Sequence, residues 1–150
     1  MKIDKDGIKF ISNQEGVRLK AYKDIVGVWT IGIGCTYYPD GTPVKQGDVI
    51  TPAQCDELFS KVVSTYEKAV TTAIKVSLNQ NQFNALVSLA FNIGTVGFGK
   101  STLAEKINAG ATLEEIRAAF NLWNKAGGKI NSTLVKRRKD EADLYLKPKQ

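Results

Sequence analysis

Histidine is missing altogether from this 150-residue chain. That absence removes the usual base of Ser-His-Asp and Cys-His catalysis and the commonest ligand of zinc hydrolases. If the chain performs acid–base chemistry, carboxylates are the obvious groups left to carry it. Cysteine is scarce too. Cys35 and Cys55 are the only two; they lack metal-ligand spacing and do not make a disulfide framework. They are expected to be free thiols in a reducing compartment, with a single bond as the alternative. No run reaches the ~20 apolar residues of a membrane span. The opening segment, MKIDKDGIKFISNQEG, has no apolar signal core. The expectation is a soluble product made in the cytoplasm, with any export depending on something else. Internal repeats and low-complexity linkers are also lacking.

What remains is ordinary globular composition, 43% hydrophobic and 24% charged, in a chain long enough for one domain with a real core. The formal net charge of +6 implies an anionic partner without naming it: nucleic acid, anionic lipid and bacterial wall polymer all qualify.

The pattern along the chain predicts an α+β, mostly helical protein. A first helix runs from an Asp4 cap to about Gln14, with Ile8 and Ile11 inward and Gly16 at its end. Glu15 falls one turn beyond Ile11 and should therefore point inward. Leu19–Lys23 and Val28–Ile33 read as strands broken apart by Gly27, and Pro39-Asp40-Gly41 reads as a turn. A small antiparallel sheet of two or three strands follows, too poor in apolar surface to stand without helices. Thr51, Pro52 and Gln54 start a long helix. Its stripe (Cys55, Leu58, Phe59, Val62, Tyr66, Val70) reaches about Ile74, roughly 35 Å. Asn79, Ser101, Thr112 with Glu115, and Ser132 or Asn131 then mark the starts of further helices. The expected architecture is a sheet lobe (16–50), a spanning helix (51–74), a helical lobe (75–150, with the N-terminal helix), and a ligand cleft between the lobes.

Glu15, Asp24 and Thr30 lie within QEGVRLKAYKDIVGVWTIGIG. Two carboxyl groups on different elements can face one substrate from opposite sides, the arrangement that glycosidic hydrolysis needs. From spacing alone they are more readily read as solvated charges beside an ordinary strand threonine, since two carboxylates in a stretch this long are common.

Other segments add weight. EGVRLKAYKD with GVWTIGIG, LNQNQFNALVSLAFNIG, STLAEKINAG, FNLWNKAGGK and LVKRRKDEADLYL together resemble, in order and over almost the whole chain, the phage-type lysozymes of glycoside hydrolase family 24. Cys35 stands where many relatives carry histidine. The resemblance implies a lysozyme-like fold and an endolysin muramidase. Its substrate would be the β-1,4 bond between N-acetylmuramic acid and N-acetylglucosamine in bacterial peptidoglycan, with lysis releasing phage. Glu15 would be the general acid, Asp24 would stabilise the oxocarbenium charge and help activate water, and Thr30 would position that water, giving inversion. Gly32, Arg137 and Arg138 would bind substrate or support the acid, unless the arginines belong to a solvated basic face. Lys136, Arg137, Arg138 and Lys139 are candidates for a wall-attracting patch. No metal or organic cofactor is implied; with no nucleic-acid motif and no apolar span, no nucleic-acid partner and no stable membrane association are expected, and a monomer is the default. It would reach the wall from the host cytoplasm through a holin-type lesion. Three rival functions stand beside it: a lytic transglycosylase, which would not need the aspartate; a non-catalytic peptidoglycan-binding protein; and a basic nucleic-acid-binding protein, which only the net charge supports.

Overall fold

The structure, a computed structural model, describes residues 1–24 and 26–148. Ile25, in the turn between the two expected strands, and residues 149–150 of the expected helical lobe lie outside the described residues. The backbone divides into two compact units, Ile8–Thr65 and Met1–Gly7 with Tyr66–Gln150.

Helix α1 (Lys5–Glu15) begins where Asp4 Oδ1 accepts the Gly7 N–H at 2.9 Å. It ends where Gly16, at φ +78°, donates its N–H to Ser12 O at 2.7 Å. Ile11 is fully buried, as its position on the stripe requires. Ile8 is not inward: it is 37% exposed. Residues three apart diverge by about 60° around a helix, so a narrow contact stripe covers Ile11 and leaves Ile8 at its margin.

Strands β1 (Arg18–Lys23) and β2 (Trp29–Gly32) pair antiparallel, with Arg18 opposite Gly32, Tyr22 opposite Thr30 and Lys23 opposite Trp29. The register breaks between Arg18 and Tyr22. Across the break, β1 bonds instead to residues 48–50: Ala21 N–H donates to Asp48 O, Ile50 N–H donates to Leu19 O, and Lys20 bridges Val49. The bulge therefore lets one short strand serve two neighbours. Pro39-Asp40-Gly41 turns as expected, with Gly41 N–H donating to Tyr38 O at 2.9 Å.

Helix α2 (Pro52–Ala73) opens with a reciprocal cap: Gln54 N–H donates to Thr51 Oγ1, and Thr51 N–H donates to Gln54 Oε1. Its Leu58 joins Ala21, Ile31, Cys35 and Val44 in the core of the Ile8–Thr65 unit, with Trp29, Tyr38, Ile50 and Val62 around them. The sheet does lean on a helix. Cys35 and Cys55 are both free and buried.

The other unit is built on α3 (Gln80–Ile93), where residues Phe83 to Ala90 are all buried. Asn79 and Gln82 cap it reciprocally. Around it come α4 (Thr95–Gly99), α5 (Thr102–Asn108, capped by Ser101), α6 (Leu113–Asn121, capped by Thr112) and α7 (Ser132–Leu146, capped by Asn131). A two-residue hairpin, β3 (Lys125–Ala126) with β4 (Lys129–Ile130), precedes α7. Neither α4 nor this hairpin is long enough to leave a periodic trace in the sequence.

Candidate active site

Glu15, Asp24 and Thr30 fall in the same compact unit. Glu15 is the last residue of α1 and is half-buried. Its carboxyl group lies against Gly34, which sits at φ +64° just beyond β2. A Cβ on Gly34 would come within 2.8 Å of Glu15 Oε2 and 3.1 Å of Cδ. Only glycine both adopts that backbone and leaves that space.

Asp24 is fixed by the turn that it begins. Its Oδ1 accepts two backbone N–H groups, from Val26 at 3.0 Å and Val28 at 2.8 Å. Its own N–H donates to Val28 O at 2.9 Å, and its carbonyl accepts the Gly27 N–H at 3.0 Å. Aspartate suits this Asx-type turn because its short side chain reaches its own following backbone. Among the described residues nothing bonds to the second oxygen, Oδ2.

Thr30 is 4% exposed. Its hydroxyl donates to Val28 O at 3.0 Å. With its single proton committed, Oγ1 faces any further partner as an acceptor. Val28 thus anchors both residues: its N–H holds the Asp24 carboxylate, and its carbonyl takes bonds from the Asp24 backbone and the Thr30 side chain.

Gly32 is placed differently from a substrate-facing residue. It is buried at φ +65°, and a Cβ there would meet Cys55 Sγ at 3.4 Å, Ile50 Cδ1 at 3.6 Å and Leu58 Cδ2 at 3.7 Å. It lets β2 pack against α2. Its neighbour two residues on, Gly34, is the glycine that meets the Glu15 carboxyl, and the paired glycines of TIGIG were the available signal.

Arg137 and Arg138 are not a solvated basic face. They are 5% and 0% exposed. They surround Glu141, also fully buried: Arg138 Nε stands 2.7 Å from Oε1, and Arg137 Nε stands 3.4 Å from Oε2. Ser88 Oγ donates to Glu141 Oε2 at 2.6 Å, and Arg138 Nη1 donates to Trp123 O at 3.2 Å. Burial pushes the Glu141 carboxyl up, while the Arg138 and Arg137 guanidiniums and Ser88 pull it back. The expected four-residue patch is thereby reduced to Lys136 and Lys139, which are exposed but paired with Asp140 and Asp143. The physical reason is helical spacing. Glu141 lies three and four residues beyond the arginines, so all three share one face. That spacing was visible in KRRKDE but signals nothing about burial by itself.

Among the described residues, no group of three or more metal-ligating side chains is assembled, and no helix is long and apolar enough to cross a membrane.

The profile of the family described as phage lysozyme matches residues 12–141. The chain is 41% identical to the endolysin of Salmonella phage P22 over 97% of its own length and 99% of that protein. It is also 41% identical to the endolysin of Bacillus phage PZA over 97% of its length, but spans only 55% of that longer protein. The solved endolysin of Escherichia coli O157:H7 phage FAHEc1 superposes with a TM-score of 0.90 at 39% identity, covering 97% of this chain and 94% of that one. The fold expected from the sequence, mostly helical with small antiparallel sheets, is the fold of these neighbours. By profile, sequence identity and structure, the chain belongs to the phage lysozyme family.

Proposed function

We propose that Glu15, Asp24 and Thr30 carry out the hydrolysis that membership of this family implies, on the β-1,4 bond between N-acetylmuramic acid and N-acetylglucosamine. As a phage lysozyme the chain is a glycoside hydrolase of endolysin type. The observation that carries the residue assignment is the shared anchoring of Asp24 and Thr30 on Val28, within one unit that also seats the Glu15 carboxyl on Gly34.

The chemistry follows from the hydrogen bonds. Glu15, protonated, gives its proton to the glycosidic oxygen as the bond to the anomeric carbon breaks. Asp24 Oδ1 is occupied by two N–H groups, so Oδ2 is the oxygen that faces the developing oxocarbenium charge and takes a proton from water. Thr30 Oγ1, acting as acceptor, orients that water through its other proton. Water attacks the face opposite the leaving group, and the product anomer is inverted. The net positive charge of +6 draws the enzyme to an anionic wall. In a lysing cell it acts on the wall after a membrane lesion made by another protein admits it.

Purified peptidoglycan incubated with the protein should yield reducing muramic acid ends with inverted configuration, read by mass spectrometry and by NMR of the initial anomer. A 1,6-anhydro product would assign it instead to transglycosylation. Glu15→Gln should fold normally and lose nearly all turbidity clearing. Thr30→Ala should lower turnover more than wall binding, and a pure binding defect would remove Thr30 from the water's seat.

A further inference from the structure

Tyr22 stands directly opposite Thr30 in the β1–β2 pair. Side chains of an opposed antiparallel pair share one face of the sheet with Cβ atoms about 5 Å apart. Tyr22 is therefore the neighbour of the proposed water-holding hydroxyl. Its ring is clamped from one side: the Arg18 guanidinium carbon lies 5.0 Å from its centroid. Tyr22 is half-buried, and among the described residues its hydroxyl makes no hydrogen bond. Tyr38, in the same unit, instead spends its hydroxyl on Asp48 at 2.7 Å. Burial, the Glu15 charge and the Asp24 charge disfavour ionisation of the Tyr22 phenol and push it above its ordinary value, against the opposing pull of Arg18. The phenol thus keeps its proton at working pH and stands within the field of both carboxylates.

We propose that Tyr22 is a substrate-contacting residue, its O–H donating a hydrogen bond to an acceptor oxygen of the sugar whose anomeric carbon is attacked. Arg18 is a positioning residue that acts through it by fixing the plane of the ring. A phenol suits this place because it donates without carrying a charge that would compete with Glu15 or Asp24. The proposal rests on the assignment of Glu15, Asp24 and Thr30 above.

The test is steady-state kinetics on soluble peptidoglycan fragments with thermal unfolding of each variant. Tyr22→Phe keeps the ring and its clamp and removes only the O–H. It should lower kcat/KM about tenfold with an unchanged Tm, while the exposed-tyrosine control Tyr37→Phe leaves both unchanged. Arg18→Gln should lower kcat/KM in the parent and have no further effect in the Tyr22→Phe background, because the hydroxyl it positions is gone. Wild-type kcat/KM in Tyr22→Phe would overturn the proposal, as would a loss that tracks a fall in Tm. If the parent itself releases no muramic acid reducing ends, the hydrolytic reading fails; if it does and Tyr22→Phe matches it, only the role of Tyr22 fails.

Discussion

The Glu15 carboxyl is seated on Gly34, at a spot where a single added carbon would stand 2.8 Å from its Oε2. The Glu15 carboxyl therefore takes its position from a backbone contact that no other residue type permits. Gly34→Ala should displace Glu15 and strain a positive-φ site together. Stability is expected to fall by about 1–2 kcal/mol and lysis by about tenfold or more. Gly41→Ala is the matched comparison. Gly41 has φ +87° and nothing within 4 Å of the added carbon, so it should cost similar stability and leave lysis intact. Denaturant melts and turbidity assays on both variants separate strain from displacement.

Asp24 offers a second separation. Its Oδ1 serves the turn through Val26 and Val28, and the proposed chemistry uses its charge. Asp24→Asn retains a carbonyl acceptor for those N–H groups. It should keep the parental Tm and lose on the order of a hundredfold in kcat. Asp24→Ala loses the turn as well and should cost an additional ~1–2 kcal/mol of stability. Equal Tm values for the two variants would show that the Asx-type bonds do not hold the turn.

The buried Arg137–Glu141–Arg138 group makes a stability prediction. Glu141 is the carboxylate shared by two buried guanidiniums. Glu141→Ala removes the buried carboxylate that both guanidiniums share and should destabilise the protein by about 3–5 kcal/mol. Truncating the exposed Lys136–Asp140 pair at Asp140 should cost less than about 1 kcal/mol. Urea denaturation of the two variants measures the difference.

Cys35 predicts a chemical outcome. Burial pushes its thiol up to about 12, and Cys55 is also raised by burial. Both therefore remain thiols, not thiolates, at pH 8, and neither should react with a thiol-specific alkylating agent in the native protein. Both should react once the chain is unfolded. Rapid native labelling of Cys35, followed by mass spectrometry, would contradict its placement in the core beside Ile31 and Leu58.

The sequence by itself determined the helix starts, because caps are local. Asp4, Thr51 with Gln54, Asn79 with Gln82, Ser101, Thr112 and Asn131 all bond within three residues along the chain. It also determined the two strands and their breaking at Gly27, and the chemical repertoire, since a chain without histidine leaves acid–base work to carboxylates. The ordered motifs carried the family. Tertiary structure alone decided what depends on partners distant in sequence. It turned Ile8 outward and made the face of α7 that bears Arg137, Arg138 and Glu141 a buried one, although helical spacing alone permits a solvated face equally well. It gave the two glycines of TIGIG separate uses, Gly32 for packing on α2 and Gly34 for seating Glu15. It set Tyr22 opposite Thr30, and it placed a register break between Arg18 and Tyr22 that no local pattern encodes. The physical reason is the same in each case: propensity and capping act over one helical turn, whereas burial and register are fixed only when separate segments meet.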